Sequence, residues 1–208
     1  MITRLKLSTI EQGLPKYRSM LAGNDAFSPY AFESIATATG TGSSATVTFN
    51  SIPSTYQHLQ IRFLAKTTDS VVGASDTYEL RVTFNGVTTN YAAHRLYGDY
   101  SAAGATAGTA LASVLTIRAI PSSNATNGSN IYGVGIIDIH DYASTTKNKV
   151  MRMINGTNAN TAGNASYRIN LVSGLSLDTN AITSISISTS GTAFTTGSTF
   201  ALYGVKGA

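Results

Sequence analysis

The 208-residue sequence predicts an all-β fold, an antiparallel two-sheet sandwich entered through an extended N-terminal arm. Three observations lead there. Short stretches of apolar/polar alternation recur along the chain, among them Thr46-Val47-Thr48-Phe49, Leu59-Gln60-Ile61-Arg62-Phe63 and Ser184-Ile185-Ser186-Ile187-Ser188. No helix-length period follows the arm. The stretches are separated by turn residues: Gly40-Thr41-Gly42-Ser43, Pro53, Asn85-Gly86, Asn127-Gly128 and Gly191. Successive strand side chains point to opposite faces, so alternation marks a strand with one wet and one dry face. Eight to ten such strands need two packed sheets to bury their dry faces. A jelly roll is the first expectation and an immunoglobulin-like sandwich the second, because pattern fixes strand number better than connection order.

Residues 1–28 read as a docking arm and residues 29–208 as the sandwich. In the arm, Met1 to Leu7 alternates apolar and polar, and Ser8 to Leu14 suits one or two helical turns that Gly13 and Pro15 interrupt. Neither piece is long enough to fold alone. Leu5, Leu7, Ile10, Leu14, Tyr17, Met20 and Leu21 therefore require a partner surface. Strands are expected at Tyr30–Thr39, Ala45–Phe49, His58–Ala65, Tyr78–Phe84, Leu111–Ile120, Ile131–Ile139, Lys149–Asn155, Tyr167–Val172, Ile182–Ser188 and Phe200–Val205. The last, Phe200-Ala201-Leu202-Tyr203-Gly204-Val205, completes the core. Two stretches read as long rim loops: Thr67 to Thr77, and Tyr97 to Ala110 with its Gly/Ala-rich centre.

At 42% hydrophobic the chain can bury a full core, while only 12% of its residues are charged. That is about half the usual share, and Ser, Thr, Asn and Gly take the solvent positions instead. The net charge of +4 is concentrated at the front, where Arg4, Lys6, Lys16 and Arg18 face only Glu11. The remaining ten basic and nine acidic residues leave the body nearly neutral, with its basic residues scattered over different strands. No phosphate-tracking stripe results, so no nucleic-acid partner is expected. A basic arm ahead of a neutral body suits docking to an acidic protein surface, through Arg4, Leu5, Lys6, Leu7, Lys16, Tyr17 and Arg18. With no cysteine, stability must come from the core or from oligomerisation, which a reducing cytoplasm permits. Neither a signal peptide nor a membrane-spanning stretch is expected.

The densest polar cluster is Asp138-Ile139-His140-Asp141-Tyr142. Asp138 and His140 share a strand face, as an acid/base pair or metal site would require. The simpler reading, a strand end turning at Asp141, is preferred, because His58 and His94 lie in no metal-ligand spacing. Nucleophile-elbow, phosphate-loop and paired-carboxylate patterns are not found. An enzyme is not expected, nor any cofactor or metal. Tyr91, His94, Arg95, Tyr97 and Tyr100 form the one aromatic-basic cluster, a candidate glycan platform or an interface.

Several phrases carry a resemblance. Phe32-Glu33-Ser34-Ile35-Ala36-Thr37, Val47-Thr48-Phe49-Asn50-Ser51-Ile52-Pro53, His58-Leu59-Gln60-Ile61-Arg62 and Asn90-Tyr91-Ala92-Ala93-His94-Arg95-Leu96-Tyr97-Gly98 are four of them. Ile137-Asp138-Ile139-His140-Asp141-Tyr142-Ala143, Lys147-Asn148-Lys149 and the closing Phe200 to Gly207 continue the series. Together they resemble a family of virion structural proteins of tailed bacteriophages, many from aquatic and cyanobacterial hosts. Leu14 to Asn24 is also similar to leaders of phage structural proteins. The resemblance implies a jelly-roll module in the virion, assembled in the host cytoplasm, with other capsid or tail proteins as partners. It leaves two roles: a decoration or cement protein anchored by its arm, or a tail-fibre or spike module binding host glycan. The first is preferred because the sequence has no heptads or fibrous shaft. A homo-oligomer is expected, a trimer most simply, with loops or sheet edges at its contacts.

Overall fold

The computed structural model describes residues 32–69, 77–99, 101–123, 130–158, 167–190 and 192–206. Among these described residues twelve strands are found: β1 Phe32–Thr39, β2 Thr46–Phe49, β3 His58–Ala65, β4 Thr77–Phe84, β5 Tyr91–Asp99, β6 Ala103–Leu111, β7 Val114–Pro121, β8 Gly133–His140, β9 Lys149–Thr157, β10 Arg168–Ser176, β11 Ile185–Ser188 and β12 Thr199–Val205. They form two antiparallel sheets, an eight-stranded one ordered β1-β12-β3-β8-β9-β10-β5-β6 and a four-stranded one ordered β2-β11-β4-β7. The all-β class and the two-sheet arrangement agree with the sequence. The docking arm, with Arg4, Leu5, Lys6, Leu7, Lys16, Tyr17 and Arg18, lies outside the described residues.

Alternation decides which side chains meet between the sheets. In β3, Leu59, Ile61, Phe63 and Ala65 are buried while the residues between them turn outward. Ile137 and Ile139 of β8, Met151 and Met153 of β9, and Phe200 and Leu202 of β12 extend this inner face. The small sheet answers with Val47 and Phe49, Leu80, Val82 and Phe84, and Ile185 and Ile187. Phe200 sits at the centre, stacked on Phe63 at 6.0 Å and edge-on to Phe194 at 5.0 Å between ring centroids. The closing strand therefore pairs with both β1 and β3 and plugs the core, as its composition predicts.

The sequence reading differs from the structure between Tyr91 and Leu111. Where Tyr97 to Ala110 reads as a loop, β5 and β6 form a hairpin, paired from Tyr91↔Leu111 to Gly98↔Ala103. The tight turn is set by Asp99, whose Oδ1 accepts from the backbone N–H of Ser101 at 3.2 Å and of Ala102 at 3.0 Å. The expected strand at Leu111–Ile120 is also divided, β6 ending at Leu111 and β7 beginning at Val114. Of the other expected rim loop, residues 70–76 lie outside the described residues.

Two loop anchors fix one end of the sandwich. Asn85 adopts φ 52° and Gly86 φ 71°, the left-handed conformations an Asn-Gly turn favours. The Asn85 Oδ1 accepts from the N–H of Thr183 at 2.8 Å, and its Nδ2 donates to the Ala181 carbonyl at 2.9 Å, tying the turn to the segment before β11. At the same end Lys149 is buried, and its Nζ donates to the carbonyls of Ser144, Lys147 and Thr179 at 2.5, 2.8 and 3.0 Å. Burial pushes the Lys149 pKa down. The charges of Asp178 and Asp141 act the other way, and the three carbonyls hold the ammonium in place of water.

Candidate functional site

Two regions bear the sequence's candidates: the outer face of the large sheet, and the polar end of its inner face. They are back to back, because β5 and β8 to β10 send alternate side chains to each.

On the inner face, register brings polar residues of β5, β9 and β10 together. Arg168 stands opposite Asp99 and Thr157, and Asn170 opposite Tyr97 and Asn155. The Arg168 guanidinium holds Asp99 at 2.6 Å and lies 4.1 Å from the Tyr97 ring centroid; Arg95 approaches the same ring at 5.0 Å. Tyr97 is thus stacked against two guanidinium groups. The hydrogen bond from Arg168, followed by those from Ser101 and Ala102, pulls the Asp99 pKa down to about 2. Asn170 is 1% exposed, and among the described residues neither its Oδ1 nor its Nδ2 has a hydrogen-bond partner.

The strand pleat divides the aromatic-basic cluster. Tyr91 is in the core, where its hydroxyl accepts from the Phe84 N–H at 2.8 Å, and burial raises its pKa. Arg95 is buried and Tyr97 half-buried on the inner face, whereas His94 is exposed on the outer one. Tyr100 lies outside the described residues. The four described members therefore do not converge on one open platform.

On the outer face, Asp138 and His140 do share a side, as their spacing implies. Asp138 accepts from Gln60 at 2.8 Å and from Arg152 at 2.9 Å. Burial alone would raise its pKa, but these hydrogen bonds and the charge of Arg152 outweigh that, and the net shift is downward. His140 packs edge-on against His58 at 4.9 Å. Asp141 follows with φ 47°. Its N–H donates to His58 Nδ1 at 3.1 Å, and its carboxylate binds Lys147 at 2.7 Å, which lowers its pKa. Among the described residues no group of three or more His, Asp or Glu is placed to hold a metal ion.

Beyond this polar row the outer face becomes apolar, a feature the sequence reading did not single out. Ile136, Ile154, Leu171 and Leu96 form one cross-strand row over β8, β9, β10 and β5, continued by Ala105 of β6. The next row runs Leu64, Val134, Gly156, Ile169, Gly98 and Ala103. The seven large side chains are between 40% and 62% exposed. The signal was present in the sequence: Val134, Ile136, Ile154, Ile169 and Leu171 occupy the phase of their strands that should be polar.

Compared with protein families, with characterised proteins and with solved structures, the chain matches none at a significant level.

Proposed function

We propose that this protein is a structural component of a bacteriophage particle, a decoration or cement protein that docks through its N-terminal arm and stabilises the capsid or its attachments. The observation that carries this reading is the continuous apolar outer face of the large sheet. Monomeric soluble proteins rarely expose contiguous apolar patches above roughly 300–600 Å² unless they bind something there, and an assembly component has a standing use for one.

Strand order supports the finer architecture. The chain passes between the sheets so that β1-β12-β3-β8 and β2-β11-β4-β7 interleave, the order of an eight-stranded jelly roll, with β5–β6 and β9–β10 as hairpins added to one sheet. Jelly rolls build both viral capsids and lectins, so the fold alone does not choose a role. The division of the aromatic-basic cluster between two faces favours assembly over the glycan-binding alternative, since a sugar platform needs its rings on one accessible side. The basic residues of the arm supply the contact to an acidic virion surface.

The test is incorporation. Protein lacking residues 1–26 should fold and fail to join particles, whereas the full chain is recovered at high copy number from purified virions. Normal incorporation of the truncated protein would overturn the arm's role. A handful of copies per virion would move the protein to a tail appendage.

A further inference from the structure

We infer that the apolar outer face of the large sheet is where two copies of this chain pack against each other, the two-row patch on β3, β8, β9, β10 and β5 meeting the same patch of its partner. The inference deepens the assembly reading and rests on it only for biological meaning.

Three features select a second copy as the occupant. The first is charge. Among the described residues the two apolar rows hold one charged residue between them, Arg62, opposite Ile136 at the β3 end, and its guanidinium is turned toward the Phe32 and Tyr203 rings, 5.7 and 5.4 Å from their centroids. In the bordering polar row, Asp138 and Arg152 neutralise each other. A face whose one uncompensated charge lies at its β3 edge repels its own copy little, and it offers an acidic or basic partner little to recognise.

The second is relief. Ile154 and Ile169 are diagonal neighbours, and each belongs to the lining of two depressions on either side of them. One depression is floored near Gly156, the other near Gly98, where the lack of an outward side chain leaves the backbone low. A ridge flanked by furrows is self-complementary: under a two-fold rotation each copy's isoleucines enter the other's furrow.

The third is extent. From β3 to β5 the patch spans four strand spacings, roughly 19 Å. Ala103 and Ala105 of the edge strand β6, both exposed, carry it further. A face of that width with seven half-exposed large side chains is of the order of the ~800 Å² per partner that stable complexes bury. On this inference copies meet through a sheet face, where the sequence leads one to expect loops or sheet edges.

The experiment measures the mass of the isolated full-length protein in solution, by light scattering behind size exclusion, across a concentration series. Wild type is expected as an oligomer. Ile169→Glu should weaken association about 100-fold or more, because an unpaired carboxylate would be taken out of water, and should leave the thermal transition of the dissociated chain in place. Thr46→Glu, on the exposed edge strand of the other sheet, should leave the mass unchanged. If Ile169→Glu fails to fold, Leu96→Lys on the neighbouring strand gives the same readout. A monomeric wild type, or an Ile169→Glu protein with the wild-type mass, would overturn the inference. The particle role fails separately: a wild-type oligomer that never enters virions would sink that role and leave this interface standing.

Discussion

Arg168 lies over Tyr97 on the inner face of the large sheet, 4.1 Å from the ring centroid, although the two residues are 71 positions apart in the sequence. The antiparallel β10–β5 pair makes them diagonal neighbours, with Arg168 directly opposite Asp99. Stacking and ion pair thus share one guanidinium.

Removing that ring should cost stability before it costs any binding. Tyr97→Ala leaves Arg95 and Arg168 without the surface they stack on, and a loss of about 1–3 kcal/mol in denaturant unfolding is expected. Tyr97→Phe keeps the ring and should stay close to wild type. Adsorption of intact particles carrying Tyr97→Ala should be unchanged; normal assembly with lost adsorption would instead make this protein a receptor-binding module.

Asp99 gives the same cluster a pH signature. Its carboxyl titrates at about 2 in the folded chain against an ordinary 3.8, so folding favours the ionised form. A depressed carboxylate contributes stability above the unfolded value and loses it as pH falls through the folded one. Unfolding midpoints should therefore fall between about pH 4 and about pH 2. In Asp99→Asn the slope should be shallower, with the remainder coming from carboxylates such as Asp138 and Asp141, which are also lowered. An unchanged slope would show that the pair does not couple to folding.

Most strands were legible because their buried positions are large and apolar at a period of two: Leu59, Ile61 and Phe63 in β3, or Ile185 and Ile187 in β11. The β5–β6 hairpin was hidden for a physical reason. The inward positions of β5 at its far end are Arg95, Tyr97 and Asp99, while Leu96 points outward, which inverts the usual pattern. On β6, Gly104 and Gly108 lie under Tyr97 and Leu111 where side chains would collide, the position of a Gly104 Cβ falling 2.7 Å from the Tyr97 hydroxyl. Glycine there reads as loop in sequence and as close packing in the fold. The turn at Asp141 was legible from local sequence; its bond to His58 was not, since that contact depends on β3 lying beside β8.

Lys149 should behave as a structural pin. Lys149→Met retains the bulk of the chain but orphans the carbonyls of Ser144, Lys147 and Thr179, and about 3 kcal/mol of stability should be lost. Lys147, whose side chain is 65% exposed and pairs with Asp141, should cost at most about 1 kcal/mol when replaced by Met. Equal effects in denaturant unfolding would show that the buried lysine is not the stronger anchor.

Two glycines of neighbouring strands separate the faces of the large sheet. A Cβ at Gly174 would lie 2.6 Å from Val114 Cγ1 and 2.8 Å from Met151 Cγ, and both of those residues are buried. Gly174→Ala should therefore destabilise by about 1–3 kcal/mol through overpacking. At Gly156, on the outer face, the nearest atom is the Arg168 carbonyl oxygen at 3.8 Å. Gly156→Ala should leave the stability of the dissociated chain within about 0.5 kcal/mol of wild type. Thermal melts of the two variants check the assignment of inner and outer faces.

Asn170 is the residue at which a loss of polarity should help. Its side chain is 1% exposed with neither amide atom hydrogen-bonded among the described residues, so folding removes it from water without replacement, at a cost of about 1–3 kcal/mol. Leucine has the same branched outline and no polar atom to desolvate. Asn170→Leu should therefore raise the unfolding free energy by about 1 kcal/mol, the extra volume taking back part of the gain. Asn170→Asp should do the reverse, since it places a carboxylate in the same dry position. Equilibrium denaturation of the three proteins decides the matter. If leucine destabilises by more than about 1 kcal/mol, the amide is satisfied by bound water, and the polar end of the core is a hydrated network that holds β5, β9 and β10 together.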